Sequence, residues 1–336
     1  MNSALNILGV PTAPYHEDHV AGFIGWWLKR LGVPFHEEQH GNIVAEFRSM
    51  ASRKPIAFAV HMDHPGFEVA KTGSKKIECL FLGWVPPDYM VKDTPVEFFD
   101  VHAKVRAKTQ ILHITRWDRD QKRVLLQVEA GVVQRGDFGM WKLPAVWLDR
   151  RTGRVVSRAC DDLAGCAAVL AMLSRLVKAR ARAHVYAIFS RREEIGLKGA
   201  FEIAHSGLVP KSIPIISVET SKALSNARQG DGPIVRVGDR SSIFDPALTA
   251  CLCEAARRLR NGKRGVFVFQ RKLMDGGTCE ATAYLQAGYT AGGLCVALGN
   301  YHNCAPNGRI AAENIHLDDW KGLVRLMAAI STGFSM

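Results

Sequence analysis

Histidines and carboxylates stand directly after several short apolar runs in this sequence. IAFAV (56–60) leads into His61 and Asp63, HVYAIFS (184–190) into Glu193 and Glu194, IPIISV (213–218) into Glu219, and LCVAL (294–298) through Gly299 and Asn300 to His302. Imidazoles and carboxylates are typical ligands of zinc, cobalt and manganese in hydrolytic enzymes. The pattern therefore predicts hydrolysis assisted by metal ions.

Two pairs of adjacent carboxylates add a second element of this chemistry. Glu193 and Glu194 lie between a buried-strand pattern and Gly196, and Asp161 and Asp162 precede an apolar helical pattern. In such a pair, one carboxylate can bind a cation while the other accepts a proton from water. Acidic pairs are also common on solvated surfaces and at helix N-termini, where the helix dipole favours them. The pairs alone leave that alternative open.

Counting the candidate ligands strengthens the metal hypothesis. The set contains two imidazoles and three carboxylates: His61, Asp161, Glu194, Glu219 and His302. If Asp161 bridges, each of two divalent ions receives three protein ligands and keeps one position open for water, which suits zinc best and also cobalt or manganese. His302 alone has the alternative of a buried structural histidine.

Helices and strands that could bring these residues together alternate along the chain. Helical patterns cover 21–31, 164–178, 197–205, 246–260, 279–286 and 317–331, and the apolar runs lie between most of them. This alternation predicts an α/β fold with a mainly parallel sheet between helices. In such sheets, ligands bind beyond the carboxyl ends of the strands.

Residues 68–155 differ in texture from the rest of the chain. They contain short β-type runs such as KIECLFLGW and RVLLQVEAGVV, separated by polar and Gly/Pro turns. We predict a small inserted β-barrel-like domain over 68–155. The catalytic domain is then discontinuous, with residues 1–67 and 156–336.

The stretch PFHEEQHGN spells the zincin motif H-E-x-x-H with His36, Glu37 and His40. That motif requires a helix of several turns, on which both histidines share one face. Pro34 and the turn-forming Gly41-Asn42 leave no room for such a helix. We interpret the match as a strand followed by a turn, and not as a zinc site.

Composition limits the remaining classes of function. The chain has 336 residues, 47% hydrophobic and 23% charged, which is enough to bury a large core. No apolar run is long enough to span a membrane, no signal peptide is recognisable, and the eight scattered cysteines form no CxxC pair, so we expect a cytoplasmic protein with reduced thiols. The net charge of +12 is spread along the chain, and we expect neither nucleic acid nor membrane as a partner.

The succession of motifs resembles the tetrahedral (TET) aminopeptidases, which belong to the glutamyl and deblocking aminopeptidase family of dinuclear zinc exopeptidases. The motifs are HMDHPGF (61–67), CDDLAG (160–165), REEIGLKGA (192–200), SVET (217–220), GGTCEATA (276–283) and NYHN (300–303). The resemblance runs through nearly the whole chain. The insertion between His61 and Asp161 also has the position expected of this family and not of the carboxypeptidase and aminoacylase relatives.

The resemblance implies a role for each candidate residue. His61, Asp161 and Glu219 would hold one metal ion, and Asp161, Glu194 and His302 the other. Glu193 would be the general base, and Asp63 would orient the imidazole of His61. Relatives often assemble into dimers and dodecamers that admit only short peptides, so the resemblance implies a homo-oligomer acting on such peptides.

Several residues depart from the family pattern. His64 stands where the family usually has an acidic residue, Leu163 where it usually has arginine, and Cys279 where it usually has an acidic residue; Glu219 replaces the usual aspartate. The metal ligands are compatible with these changes, whereas the changes leave substrate preference and assembly open. An aminopeptidase is the first hypothesis, with an amidohydrolase or deacylase on the same scaffold as the second and a non-catalytic binding protein as the third.

Overall fold

The computed structural model describes residues 3–49, 54–262 and 267–333. Within these residues the backbone forms six α-helices: α1 (Asp18–Leu31), α2 (Leu163–Lys178), α3 (Lys198–Ser206), α4 (Pro246–Arg260), α5 (Glu280–Gln286) and α6 (Leu317–Gly333). Short 3₁₀ helices cover Ser3–Gly9, Pro87–Tyr89 and Tyr301–Asn303. No helix among the described residues has the length and apolar character needed to cross a membrane.

Seventeen strands are found in the same part of the chain. They are β1 (Phe35–Glu37), β2 (Ile43–Arg48), β3 (Ile56–His61), β4 (Gly66–Thr72), β5 (Lys76–Leu82), β6 (Pro95–Phe99), β7 (Val105–Trp117), β8 (Lys122–Gly131), β9 (Phe138–Trp141), β10 (Val146–Asp149), β11 (Arg154–Ser157), β12 (His184–Ser190), β13 (Ile215–Lys222), β14 (Ile234–Gly238), β15 (Gln270–Leu273), β16 (Ala291–Gly299) and β17 (Glu313–His316). They form a large mixed sheet and a closed barrel.

The large sheet has the order β1-β2-β12-β3-β13-β16-β17-β11-β10, with β14 and β15 attached beside β16. Its four central strands, β12, β3, β13 and β16, run parallel to one another. These strands are almost continuously buried, as expected for a parallel sheet that is covered on both faces. The outer strands pair antiparallel with their neighbours, except that β15 is parallel to β14.

Helices cover both faces of this sheet. α1, α2, α4 and α6 contribute to one hydrophobic core, in which all apolar positions of α2 except Val177 are buried. α3 and α5 pack together on the opposite face in a second core. This arrangement confirms the predicted α/β fold with a mixed sheet between helices, and the parallel pairing is concentrated in its four central strands.

The inserted β-rich segment forms a closed barrel of six strands in the order β4-β5-β8-β7-β6-β9. Its interior holds large side chains such as Phe67, Phe98 and Trp141. The barrel-like architecture predicted for this part of the chain is therefore confirmed. The barrel strands span Gly66–Trp141, while β10 and β11 pair within the large sheet; the domain limits at 67/68 and 155/156 remain predictions.

The stretch with the zincin spelling forms a strand and a turn, as predicted. His36 and Glu37 lie in the edge strand β1, and His40 lies in the turn before β2. One position differs from the sequence-based expectation: Glu219 does not follow its strand but lies inside β13, three residues before the strand ends.

Candidate metal centre

The carboxyl ends of the central parallel strands bring the predicted residues together. His61 ends β3, Glu193 and Glu194 follow β12, and His302 lies just after β16. Ser217 of β13 pairs with Ala59 of β3, so the same register puts Glu219 level with His61. Parallel strands thus deliver two imidazoles and three carboxylates to one rim of the sheet.

Asp161 lies between the two histidines. Its Oδ1 is 3.6 Å from His61 Nε2, and its Oδ2 is 3.6 Å from His302 Nε2. Glu219 Oε2 lies 3.8 Å from His61 Nε2, and Glu194 Oε1 lies 3.1 Å from His302 Nε2. Each oxygen of Asp161 therefore faces a different imidazole, which is the arrangement of a bridging carboxylate.

These separations fit the residues to cations. Bonds of about 2.1 Å to a tetrahedral zinc ion put neighbouring ligand atoms about 3.4 Å apart, close to the distances between the facing atoms here. His302 Nε2 is buried and has no partner with hydrogen-bond geometry among the described residues. Ligand atoms of Asp161, Glu194 and His302 all lie within 4.8 Å of one another, as do those of His61, Asp162 and Glu219. Two groups of candidate donors for divalent ions therefore lie at this rim.

Both imidazoles are oriented through Nδ1, which leaves Nε2 directed at the carboxylates. His302 Nδ1 lies 2.6 Å from the carbonyl oxygen of Trp84, and His61 Nδ1 lies 3.1 Å from the carbonyl oxygen of Asp63. A carbonyl only accepts, so Nδ1 carries a proton in each ring and donates it. Neutral rings in this tautomer present Nε2 as a free ligand atom.

The Asp63 carboxylate lies beside His61 and also accepts hydrogen bonds from the loop after β12. Its Oδ1 is 3.5 Å from His61 Nδ1 and accepts a hydrogen bond from the backbone N–H of Glu193 (2.9 Å). Its Oδ2 accepts from the backbone N–H of Glu194 (3.0 Å). Asp63 thereby links the end of β3 to the loop after β12.

A buried glutamate that the sequence did not reveal supports the other side of the centre. Glu313 of β17 accepts hydrogen bonds from the backbone N–H groups of Cys160 (2.7 Å), Asp161 (3.0 Å) and His302 (2.8 Å). Thr220 donates its hydroxyl to Asp161 Oδ1 at 3.1 Å. No local pattern marks Glu313, because it reaches the site through the antiparallel pairing of β17 with β16.

His64, which departs from the family pattern, connects two of the strand ends. Its Nδ1 is 2.6 Å from the carbonyl oxygen of Asp161, and its Nε2 is 3.0 Å from Asn303 Oδ1. Asn303 in turn donates Nδ2 to the carbonyl of Arg158 at 2.9 Å. His64 therefore fixes the backbone of Asp161 to the segment that follows His302. Of the other departures, Leu163 lies in the hydrophobic core and Cys279 is buried just before α5.

Asp162 occupies the N-cap of α2, as acidic residues at helix starts often do. Its Oδ1 accepts from Gly165 N at 3.1 Å, while its buried Oδ2 has no hydrogen-bond partner among the described residues. A Cβ at position 165 would collide with this carboxylate, so glycine is required there.

Burial and crowded charge shift the ionisation of the metal-free centre. Burial raises the pKa of Glu193 well above its usual range, and the charges of Glu194, Glu219 and Asp63 add to the increase, although His61 opposes it. Burial would lower the pKa of His302, but the charges of Glu194 and Asp161 outweigh it and raise that pKa to about 9. Positive charge is thus strongly favoured between these carboxylates.

A second group of potential ligands lies around the zincin-like turn. Glu38, His40 and Glu202 come within 4.8 Å of one another. Arg192 donates to Glu202 Oε2 at 2.6 Å, so a protein cation already pairs with one of the two carboxylates of this group. His36 and Glu37, the other two letters of the motif, do not belong to it.

Comparisons with known proteins agree with this architecture. A family model described as M42 glutamyl aminopeptidase matches residues 41–326. A curated protein described as a putative aminopeptidase, from Acetivibrio thermocellus, is 29% identical over 139 residues. That match spans 40% of this chain and only 40% of the length of the curated relative.

Solved structures match over almost the whole chain. Aminopeptidase APDkam598 from the archaeon Desulfurococcus kamchatkensis has a TM-score of 0.82 at 19% identity, covering 99% of this chain and 94% of that one. The TET1 peptidase of Pyrococcus horikoshii has a TM-score of 0.78 at 20% identity, covering 99% of this chain and 100% of that one. The likeness to these structures establishes a shared fold.

Proposed function

Since the chain belongs to the M42 glutamyl aminopeptidase family, we propose that it is a metal-dependent aminopeptidase that removes N-terminal residues from short peptides. The observation that carries this proposal is the position of Asp161, whose two oxygens each lie 3.6 Å from a different imidazole. A bridging carboxylate between two histidines, each with a further carboxylate beside it, is a donor set for two divalent ions.

We assign the ligands in two groups. His61, Asp161 and Glu219 would hold one ion, and Asp161, Glu194 and His302 the other, with zinc as the first choice and cobalt or manganese as alternatives. Asp63 would keep His61 in its tautomer, and Asp162 would support the bridging carboxylate. When bound, the ions would supply Lewis acidity, which polarises the scissile carbonyl and acidifies a water molecule.

Glu193 would perform the proton transfers. Its carboxylate comes within 4.8 Å of ligand atoms of His61 and Glu194, yet it is left over when the two ligand groups are complete. From there it would take a proton from the attacking water and return it to the nitrogen of the departing amine. A carboxylate whose pKa is raised by burial and by neighbouring carboxylates is well suited to hold that proton between the two steps.

We also propose that the chain works as a homo-oligomer in the cytoplasm. The TET1 peptidase of Pyrococcus horikoshii, which shares the fold, can assemble into a tetrahedron or a large octahedral shell. A related TET1 structure is a dodecamer. Gel filtration with light scattering tests this part of the proposal, and a monomer at micromolar concentration would contradict it.

The central experiment compares free with blocked substrates after metal analysis. We expect about two divalent ions per chain and cleavage of aminoacyl nitroanilides and short peptides with a free amine. Chelation should abolish cleavage, and added zinc, cobalt or manganese should restore it. Cleavage of N-acetylated substrates alone would overturn the aminopeptidase in favour of a deacylase, and no cleavage of either set by the metal-loaded protein would favour a binding protein.

A matched pair of variants separates the two histidine motifs. His61→Ala should lose bound metal and activity together, because it removes a ligand. His36→Ala changes an exposed residue of the zincin-like spelling and should retain both. Equal behaviour of the two variants would contradict the assignment.

A further inference from the structure

Four successive backbone N–H groups, those of residues 191–194, all donate to side chains from other segments. Arg191 N donates to Asn42 Oδ1 (2.8 Å), Arg192 N to Glu17 Oε1 (3.0 Å), Glu193 N to Asp63 Oδ1 (2.9 Å) and Glu194 N to Asp63 Oδ2 (3.0 Å). The loop that carries the proposed base and one proposed ligand is therefore fixed from three directions. Two of the acceptors, Glu17 and Asn42, lie outside the metal centre.

Glu17 is well placed to hold this loop rigidly. The residue immediately precedes α1 and is 0% exposed. Besides Arg192 N, its carboxylate accepts from Arg191 Nε (2.7 Å) and from the backbone N–H of Tyr15 (3.1 Å). A buried carboxylate with this many donors cannot move without leaving charge and N–H groups unpaired, which is strongly unfavourable.

The backbone of Arg192 explains why the loop needs such an anchor. Its φ of 58° lies in the left-handed region, which is unfavourable for a residue other than glycine. Such a conformation persists only where surrounding contacts enforce it. Without the acceptor for its N–H, the backbone of Arg192 would leave the left-handed conformation. Because Glu193 is the next residue in the chain, this change would displace it.

We propose that Glu17 is a positioning residue for the general base: by accepting the N–H of Arg192, it holds Glu193 in the geometry that proton transfer requires. This inference rests on the proposed function of Glu193. Asn42 likewise accepts the N–H of Arg191. The turn with the zincin-like spelling therefore supports the loop of the site and does not supply a ligand.

Three variants test the role of the acceptor. Glu17→Ala removes it, whereas Glu17→Gln keeps an amide oxygen that still accepts from Arg192 N. Asp18→Ala is the control, since Asp18 also pairs with Arg191 but its side chain is 83% exposed and makes no contact with the loop backbone that the structure records. We expect Glu17→Ala to lower kcat about 10- to 100-fold, as small displacements of catalytic groups do, with KM within about threefold.

Glu17→Gln should restore most of this loss, Asp18→Ala should match wild type, and all variants should bind metal as wild type does. Wild-type kcat in Glu17→Ala, or equal losses in Glu17→Ala and Glu17→Gln, would overturn the proposal. If Glu17→Ala does not fold, Glu17→Asp takes its place, because the shorter side chain withdraws the acceptor from Arg192 N. Equal turnover in the Asp and Gln variants would then refute the role.

Amide hydrogen exchange provides a readout that does not depend on activity. Peptides covering 191–196 should exchange faster in Glu17→Ala than in Asp18→Ala, because the N–H of Arg192 loses its acceptor. Equal exchange would overturn the positioning role even in an active enzyme. Wild-type protein that cleaves nothing but shows the expected exchange would refute the proposed function and leave the anchoring of the loop intact.

Discussion

Replacing Glu193 by glutamine removes the proposed base while leaving the volume of the side chain and the ligand groups unchanged. The backbone of residue 193 stays bonded to Asp63 Oδ1, so the new amide should occupy the position of the carboxylate. General-base assistance is worth about 100- to 10,000-fold in rate, or about 3–5 kcal/mol of the activation barrier. We expect kcat to fall by this factor.

The assay measures kcat and KM with aminoacyl nitroanilides at saturating metal, alongside the metal content of each preparation. Glu37→Gln is the matched control: it makes the same chemical change at an exposed glutamate, the formal base of the zincin-like spelling, and should retain wild-type kcat. A kcat for Glu193→Gln within about threefold of wild type would refute the role of base. Loss of metal in proportion to activity would identify Glu193 as a ligand instead.

Three further predictions follow from the same region. In the metal-free centre, the charges of Glu194 and Asp161 outweigh burial and raise the pKa of His302 to about 9, so zinc binding at pH 7 should release a proton from this ring. The heat of zinc binding measured by calorimetry should then vary with the ionisation enthalpy of the buffer. Binding heats that do not depend on the buffer would contradict this. Burial raises the pKa of Glu280 from 4.5 to about 7, so the metal-free fold is most stable at low pH, where this side chain is neutral, and loses that stability as pH rises through 7. The free energy of unfolding of Glu280→Gln, measured in urea, should therefore exceed that of wild type by up to about 3 kcal/mol at pH 8. At pH 4 the two proteins should be equally stable. Gly165→Ala should lower the stability and the metal content of the protein, because the new Cβ collides with the Asp162 carboxylate. Gly22→Ala, at a position in α1 where a Cβ meets no other atom, should stabilise the protein by up to about 1 kcal/mol. A Gly165→Ala protein more stable than wild type would show that the N-cap tolerates the collision.

The sequence predicts the position of a candidate site residue where that residue directly follows a strand of the parallel sheet. His61, Glu194 and His302 were proposed as ligands from their positions after apolar runs, and the parallel pairing of β3, β12 and β16 through β13 explains why they lie at one rim. Glu219 required more than this rule, because β13 continues past it to Lys222. Its approach to His61 depends on the register between β13 and β3, which a single sequence does not contain.

The supports of the site lay beyond sequence reasoning for a physical reason. Glu313, His64 and Glu17 act on backbone N–H or carbonyl groups that any residue possesses, so their partners leave no trace in the sequence. Glu17 lies 175 positions from Arg192, and His64 lies 97 positions from Asp161. Only tertiary structure brings such groups together. At most positions in a protein, a glutamate or histidine is an ordinary helix cap or a surface charge, so these residue types alone do not mark a support of the site.

The crowding of acidic groups explains why this centre favours cations. Among the described residues it contains Asp63, Asp161, Asp162, Glu193, Glu194 and Glu219, with the two imidazoles between them. Like charges about 4 Å apart repel by about 4 kcal/mol at an effective dielectric constant of 20, so the folded chain tolerates them only with compensating positive charge. Without metal, protons supply that charge: burial and the charge of Glu219 raise the pKa of Asp162, and although burial lowers the pKa of His61, the charge of Glu193 and the neighbouring carboxylates raise it further. Protons and divalent ions therefore compete for the same atoms, and the expected release of a proton on zinc binding follows from the charge that makes the site attractive to zinc.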